Sequence, residues 1–285
     1  MNLAEPPAGS EAGSGWRARL ELGYEHQDGT TRLTSRRHTG PLVVQKPFYP
    51  EGPEVCHSIV LHPPAGIAGG DRLEIDLTVS YGARALITTP GATKWYRSAG
   101  PTAEQNVRMQ IAEGASLEWL PQENIVFDQS RVHMRTLVNL APGAHYIGWD
   151  VTRLGRTASG ERFDAGELRS RTEILRAGRR LWGDYARFEG GAGLLQSPAG
   201  LAGYPIMGTL LAAGLDIERG LLDACRAVAT EGDARFGVTT LPGVLAARFL
   251  GHSTEAARGY FVALWRLLRP ALIGREASVP RIWAT

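Results

Sequence analysis

A chain of 285 residues with 43% apolar content can bury one large core or two small ones. Its 31 basic and 29 acidic residues leave a formal net charge of +2, which excludes the strong one-signed field that draws nucleic acids or anionic membranes. Two distant cysteines, Cys56 and Cys225, give neither a disulfide framework nor a zinc spacing, and the opening MNLAEPPAGSEAGSG lacks the basic and apolar regions of a signal peptide. No run of about 18 apolar residues follows, so a soluble, cytoplasmic protein is expected. Only Lys46 and Lys94 are lysine; the other basic residues are arginines, which pair carboxylates in bidentate fashion.

Residues 1–15, rich in Gly, Pro, Ala and Ser, read as a disordered tail, and residues 16–285 as a single domain. Within it a β-rich body runs over 16–190 and a mixed region with two helices over 191–285. Trp16, Ala18, Leu20, Leu22 and Tyr24 share one face of an alternating strand that ends at the polar turn Asp28-Gly29. Leu42–Gln45 and Val55–His62 predict further strands, separated by Pro47, Pro50, Gly52 and Pro53. Gly66, Gly69 and Gly70 then crowd one loop that Asp71 closes. After it Leu73, Ile75, Leu77 and Val79 alternate with Glu74, Asp76, Thr78 and Ser80. Because a strand follows these glycines, the helix N-terminus that a phosphate loop requires is missing, and no GxxxxGK[ST] occurs. Asp71 reads as a turn cap, while so much glycine beside an acid also suits a close-contact surface.

A loose rhythm follows. Gly82-Ala83, Gly114-Ala115 and Gly143-Ala144, 32 and 29 residues apart, each separate an alternating run from an apolar one. The upstream runs are Leu73–Val79, Val107–Ile111 and Thr136–Leu140; the downstream runs are Ala85–Thr89, Leu117–Leu120 and His145–Val151. Strand, tight turn, strand, three times over, predicts a mainly β fold with a stacked, solenoid-like or sandwich-like body rather than βαβ units. Leu168–Ile174 and Leu181–Phe188 complete it.

Beyond Gly190 the composition changes. Asp216 as N-cap and Ile217, Leu221, Leu222, Cys225, Val228 and Ala229 on one face predict a helix ending at Gly232. Phe236–Leu241 and Val244–Leu250, joined by Pro242-Gly243, predict a hairpin whose second arm suits a helix equally well. Ser253 caps a last helix with the apolar stripe Ala257, Tyr260, Phe261, Leu264, Leu267 and Leu268. Gly200–Gly214 reads as core or as a partner surface, and the closing SVPRIW as exposed.

Catalytic signatures are absent from the sequence: no G-x-S-x-G, no HExxH, no paired CxxC. On a strand, Cys56 and His62 share a face and His57 opposes them, so the three do not converge on a metal. Lys94 has no phosphate site or second catalytic group nearby to make it a Schiff-base lysine. Trp95 and Tyr96 read as interface anchors or as core.

Four stretches, HPPAGIAGGD, TTPGATKWYRS, LEWLPQENIVF and GRTASGERF, come in an order that resembles the urease accessory protein UreD (UreH) family. The resemblance implies a β-rich fold without enzymatic activity. It also implies assembly with UreF and UreG, docking onto the urease apoprotein, and nickel as transient cargo with no tightly bound cofactor. Gly66, Gly69, Gly70, Lys94, Trp95, Tyr96 and Arg156 become motif or partner-contact residues. Asp71, Glu123 and Glu161, each inside a matching segment, become oxygen donors along a transient nickel path, with capping and surface pairing as their structural alternatives. A conduit is expected to bind its ion weakly through scattered oxygens. Two other classes stay open on the residues alone: a carbohydrate-like binding β-protein, from seven tryptophans among many strands, and a hydrolase pairing Asp71 with Glu123 or Glu161.

Overall fold

Gly82, Gly114 and Gly143 hold φ of +67°, +67° and +70°, a left-handed conformation that glycine adopts at little steric cost, and each sends the chain from one sheet into another. Repetition of that turn builds the molecule. The computed structural model describes residues 15–284; of the expected tail only Gly15 falls within them. The chain opens with β1 (Arg17–Gln27), β2 (Thr30–Thr39) and β3 (Val43–Val44). Four coils follow. The first is β4 (Val55–Leu61), β5 (Gly66–Ile67) and β6 (Arg72–Val79); the second is β7 (Arg84–Thr88), β8 (Thr93–Trp95) and β9 (Ala103–Ile111). The third is β10 (Ser116–Leu120), β11 (Asn124–Val126) and β12 (Arg131–Leu140), and the fourth is β13 (His145–Leu154) with β14 (Glu167–Arg176).

Corresponding strands of successive coils pair in parallel, so the body is a solenoid with two broad faces and one narrow one. Ser116 lies opposite Arg84 and His145, and Glu104 opposite Arg72, which turns the rhythm of the glycine pairs into strand register. One broad face is the sheet β6-β9-β12-β14, extended by β1 and β2 on one side and by β15 (Arg179–Glu189) on the other. The other is β4-β7-β10-β13, extended by β3 and by three antiparallel strands, β16 (Ile206–Ala213), β18 (Val244–Gly251) and β17 (Ala234–Leu241). Strands β5, β8 and β11 form the narrow face, closed by the last residues of β13.

Leu73, Ile75, Leu77 and Val79 point between the broad faces, where they meet Ala85, Ile87 and Leu117 in the main core. The single turn α1 (Gly193–Gln196) places Leu195 in the main core, while outside the second broad face lies a second core covered by α2 (Arg219–Arg226) and the long α3 (Thr254–Ile273), with α3 packing on β13, β16 and β18. Ser253 caps α3 by accepting the Ala256 N–H at 3.1 Å.

Several expectations change. Strand β2 has no sequence signature, because Arg32, Arg36 and Arg37 on an edge strand hide any period of two. The strand expected at 42–45 shrinks to Val43–Val44, and the second hairpin arm is a strand. Asp216 is not an N-cap: its carboxylate accepts the Gly243 N–H at 3.0 Å, and the helix begins at Arg219 and ends at Arg226. Leu267 lies outside the buried stripe of α3, whereas Trp265 and Arg269 lie in it. Trp283 is half-buried rather than exposed, donating to Thr88 Oγ1 at 2.8 Å with its ring against Trp149 and Trp265.

Arg269 is fully buried and accounts for the firm seat of α3. Its guanidinium forks to Glu118 at 2.9 and 3.0 Å and to Glu51 at 2.7 and 2.8 Å, and it also donates to the Glu276 carbonyl, so all five N–H donors are used. Trp265 Nε1 donates to Glu118 at 2.6 Å, and His57 Nε2 hydrogen-bonds Glu51 at 2.6 Å. Burial raises the Glu51 carboxyl, but the hydrogen bonds from His57 and Arg269 outweigh it and hold the group at about 2.

Candidate functional site

The four stretches that carried the resemblance are scattered in sequence but adjacent in space. Ile67 pairs with Trp95, Trp95 with Val126, and Val126 with Leu154, so HPPAGIAGGD, TTPGATKWYRS, the end of LEWLPQENIVF and the start of GRTASGERF stack across the narrow face. Trp95 points inward, fully buried, and donates from Nε1 to Asn124 Oδ1 at 3.0 Å. Tyr96 points outward, its ring edge-on to Phe127 at 5.3 Å. A Cβ on Gly66 would collide with the Tyr96 ring, which explains a glycine there. Lys94 is partly exposed beside them.

The three carboxylates named from sequence divide between two edges of this face. Asp71 holds the first turn of one edge, its two oxygens accepting the Trp16 N–H at 2.7 Å and the Ala68 N–H at 2.8 Å. Glu161 lies along the same edge in the fourth coil, three coils further on. There it accepts from Arg156 Nε at 3.1 Å and from the Asp128 N–H at 3.2 Å. Arg156 lies over the Phe127 ring, 4.4 Å from its centroid, and holds the Glu161 carboxyl below the usual carboxylate range. Glu123 sits on the opposite edge, where its carbonyl accepts the Thr93 N–H at 2.9 Å. The structure therefore does not gather the three into one cleft.

Behind that second edge the broad faces part around a cavity of about 480 Å³. Gln122 and Asn124, flanking Glu123, line it; so do Asp150 and the hydroxyl residues Thr136, Ser170 and Thr172. Asp150 accepts from Asn124 Nδ2 at 3.0 Å and from Thr152 Oγ1 at 2.8 Å, and burial pushes its carboxyl above the usual range against those two bonds. Asp184, at the far side, pairs with Arg248 at 2.8 Å. His62 reaches the cavity with Nδ1 unpartnered, and burial pushes its imidazole down. Cys56 lies in the main core, and His57 lies on the opposite face against Glu51. Among the described residues no group of three or more His, Cys, Asp or Glu side chains is arranged to hold a metal, and no helix is long and apolar enough to cross a membrane.

Comparison with known proteins decides the family. Residues 16–284 match the family model for the UreD urease accessory protein. The chain belongs to this family. It is 51% identical over 285 residues, the whole of both chains, to the urease accessory protein UreD of Pseudomonas fluorescens strain Pf0-1. It is 51% identical over 271 residues, 95% of each chain, to the UreD of Azoarcus sp. strain BH72, and 48% identical over 270 residues to that of Methylobacillus flagellatus. In this fold Asp150 lines the cavity, and an acid inside the otherwise apolar strand YIGWDV is a usable sequence signal for it. No local pattern announces the buried Glu118–Arg269 pair.

Proposed function

We propose that this chain serves urease maturation in the cytoplasm as a non-enzymatic scaffold that joins UreF, and through it UreG, to the urease apoprotein, and that nickel crosses its interior cavity on the way. Family membership supports the accessory role. The cavity carries the transport reading: a buried carboxylate, Asp150, faces a volume lined by amide and hydroxyl oxygens. Hard oxygen donors that are spread out rather than clustered can replace part of a divalent ion's hydration without trapping it. Glu123, between the lining residues Gln122 and Asn124, is a further carboxylate beside the cavity.

Asp150→Asn tests this. Asparagine keeps a side-chain acceptor and removes the charge, so the variant folds and assembles with UreF, UreG and apo-urease while the resulting urease holds less nickel. Wild-type nickel content in urease matured by Asp150→Asn would overturn the interior route. A second route, along the outer edge past Asp71 and Glu161, is favoured by their placement on one column of turns; a loss of nickel in Asp71→Asn but not in Asp150→Asn selects it.

A further inference from the structure

Many arginines on this molecule pair with an acid. On the outer side of the seven-stranded sheet Arg19, Arg108, Arg169, Arg171 and Arg187 each contact a carboxylate at 3.0 Å or less. The narrow face brings unpaired cations together. Lys94, Ile125 and Arg153 are direct register partners across β8, β11 and β13, and all three point outward, because Trp95, Val126 and Leu154, one residue on, point into the core. Neither the Lys94 nor the Arg153 side chain has a hydrogen bond or ion pair among the described residues. Arg153 Nε is already shielded from water and unpartnered. A guanidinium stripped of part of its hydration gains more from an arriving carboxylate than a fully solvated one does.

The backbone positions of Lys94 and Arg153 lie about 10 Å apart, two strand spacings, on either side of a partly exposed isoleucine, a span that two long flexible side chains can narrow over it. One pleat further, Tyr96 and Phe127 make an aromatic pair at 5.3 Å, bounded by the internally neutralised Arg156 and Glu161. Exposed Arg97 adds a third cation beyond Tyr96, and Glu123, one pleat before Ile125, and Asp128, next to Phe127, are the acids of the strip. Three cations against two acids leave it positive on a molecule whose whole charge is only +2.

We propose that this strip is a docking site for an extended acidic segment of a protein partner. One carboxylate of the segment bridges Lys94 and Arg153 over Ile125, and an apolar side chain two residues along, on the same side of the extended segment, rests on Tyr96 and Phe127. The alternation of acid and apolar residue matches the pleat of the face. The site is separate from the cavity, so it stands or falls independently of nickel transit.

The full chain, prepared with its soluble partners if it requires them, is titrated into a short fluorescein-labelled peptide of repeating Glu-Ser-Val-Ser, which sets glutamate and valine two residues apart on one side of the extended chain, with the peptide carrying glutamine in place of glutamate and a single-stranded DNA of similar length as comparisons. The glutamate peptide is expected to bind, at least tenfold more tightly than the glutamine peptide, and more weakly as salt rises. Lys94→Gln and Arg153→Gln each reduce its affinity severalfold, and the pair together at least tenfold, while Arg219→Gln, on exposed α2, leaves it unchanged. Equal losses in Arg219→Gln, equal binding of the glutamine peptide, or DNA bound as tightly as the peptide would each overturn the proposal. Ile125→Ser gives a second reading free of any charge change: it weakens the peptide if the segment lies over the strip and has no effect if the cations act only at a distance.

Discussion

Two parts of the molecule treat charge in opposite ways. Under α3, Arg269 and Glu118 are fully buried with every guanidinium donor used, and Glu51 and His57 complete the cluster. On the narrow face, built from other strands, the side chains of Lys94 and Arg153 lie near the surface without a partner among the described residues. A buried ion must be paired, since desolvation costs several kcal/mol that only close partners offset. A half-exposed one can wait for a partner from outside. The difference separates what fixes the fold from what is left available for assembly.

The contrast breaks most visibly at Arg269. Arg269→Ala leaves Glu118 and Glu51 buried without their counter-ion and is expected to cost about 3–5 kcal/mol in urea unfolding. Replacing Glu118 and Arg269 together by Leu and Met leaves no such orphan and is expected to recover much of that loss; an equal loss in both would mean that the ions do not hold α3.

Acid probes the same cluster. The Glu51 carboxyl lies at about 2 in the folded protein against 4.5 ordinarily, so its contribution is fully present above about pH 4.5 and is lost as pH falls toward 2. The thermal midpoint should therefore fall over that window, and Glu51→Gln should flatten the fall. A slope unchanged in the variant would place the acid sensitivity elsewhere.

Asp71 gives a smaller effect. Its two N–H bonds hold the turn that precedes β6, so Asp71→Ala is expected to cost about 0.5–2 kcal/mol and Asp71→Asn less, since asparagine keeps an acceptor. Smallest are Lys94→Gln and Arg153→Gln. With no internal partner to lose, each should stay within about 0.5 kcal/mol of the parent in the same unfolding experiment. A loss comparable to that of Arg269→Ala would erase the distinction between the two regions.

The sequence shows the solenoid where its physics is local. The alternation in Leu73–Val79 and the three glycine turns need only neighbouring residues to be read, and they emerge as β6 and the coil corners. What could not be read depends on partners far along the chain. Arg269 meets Glu118 across 151 residues, and before that meeting an arginine next to an apolar stripe is indistinguishable from a surface residue. Asp216 looks like a helix cap until Gly243 is found to claim its carboxylate. Glu123 and Glu161 share acidity and motif context, yet the coil geometry sends them to opposite edges of the narrow face. Asp150 is intermediate: the polarity was visible in β13, but only the parting of the two broad faces gives it a cavity to line.

The most direct measurement is the nickel content of urease matured with Asp150→Asn in place of the parent chain, taken on complexes first shown to contain UreF, UreG and apo-urease in unchanged proportion. The account predicts intact assembly with nickel per active site reduced severalfold. Intact assembly with full nickel occupancy would contradict it.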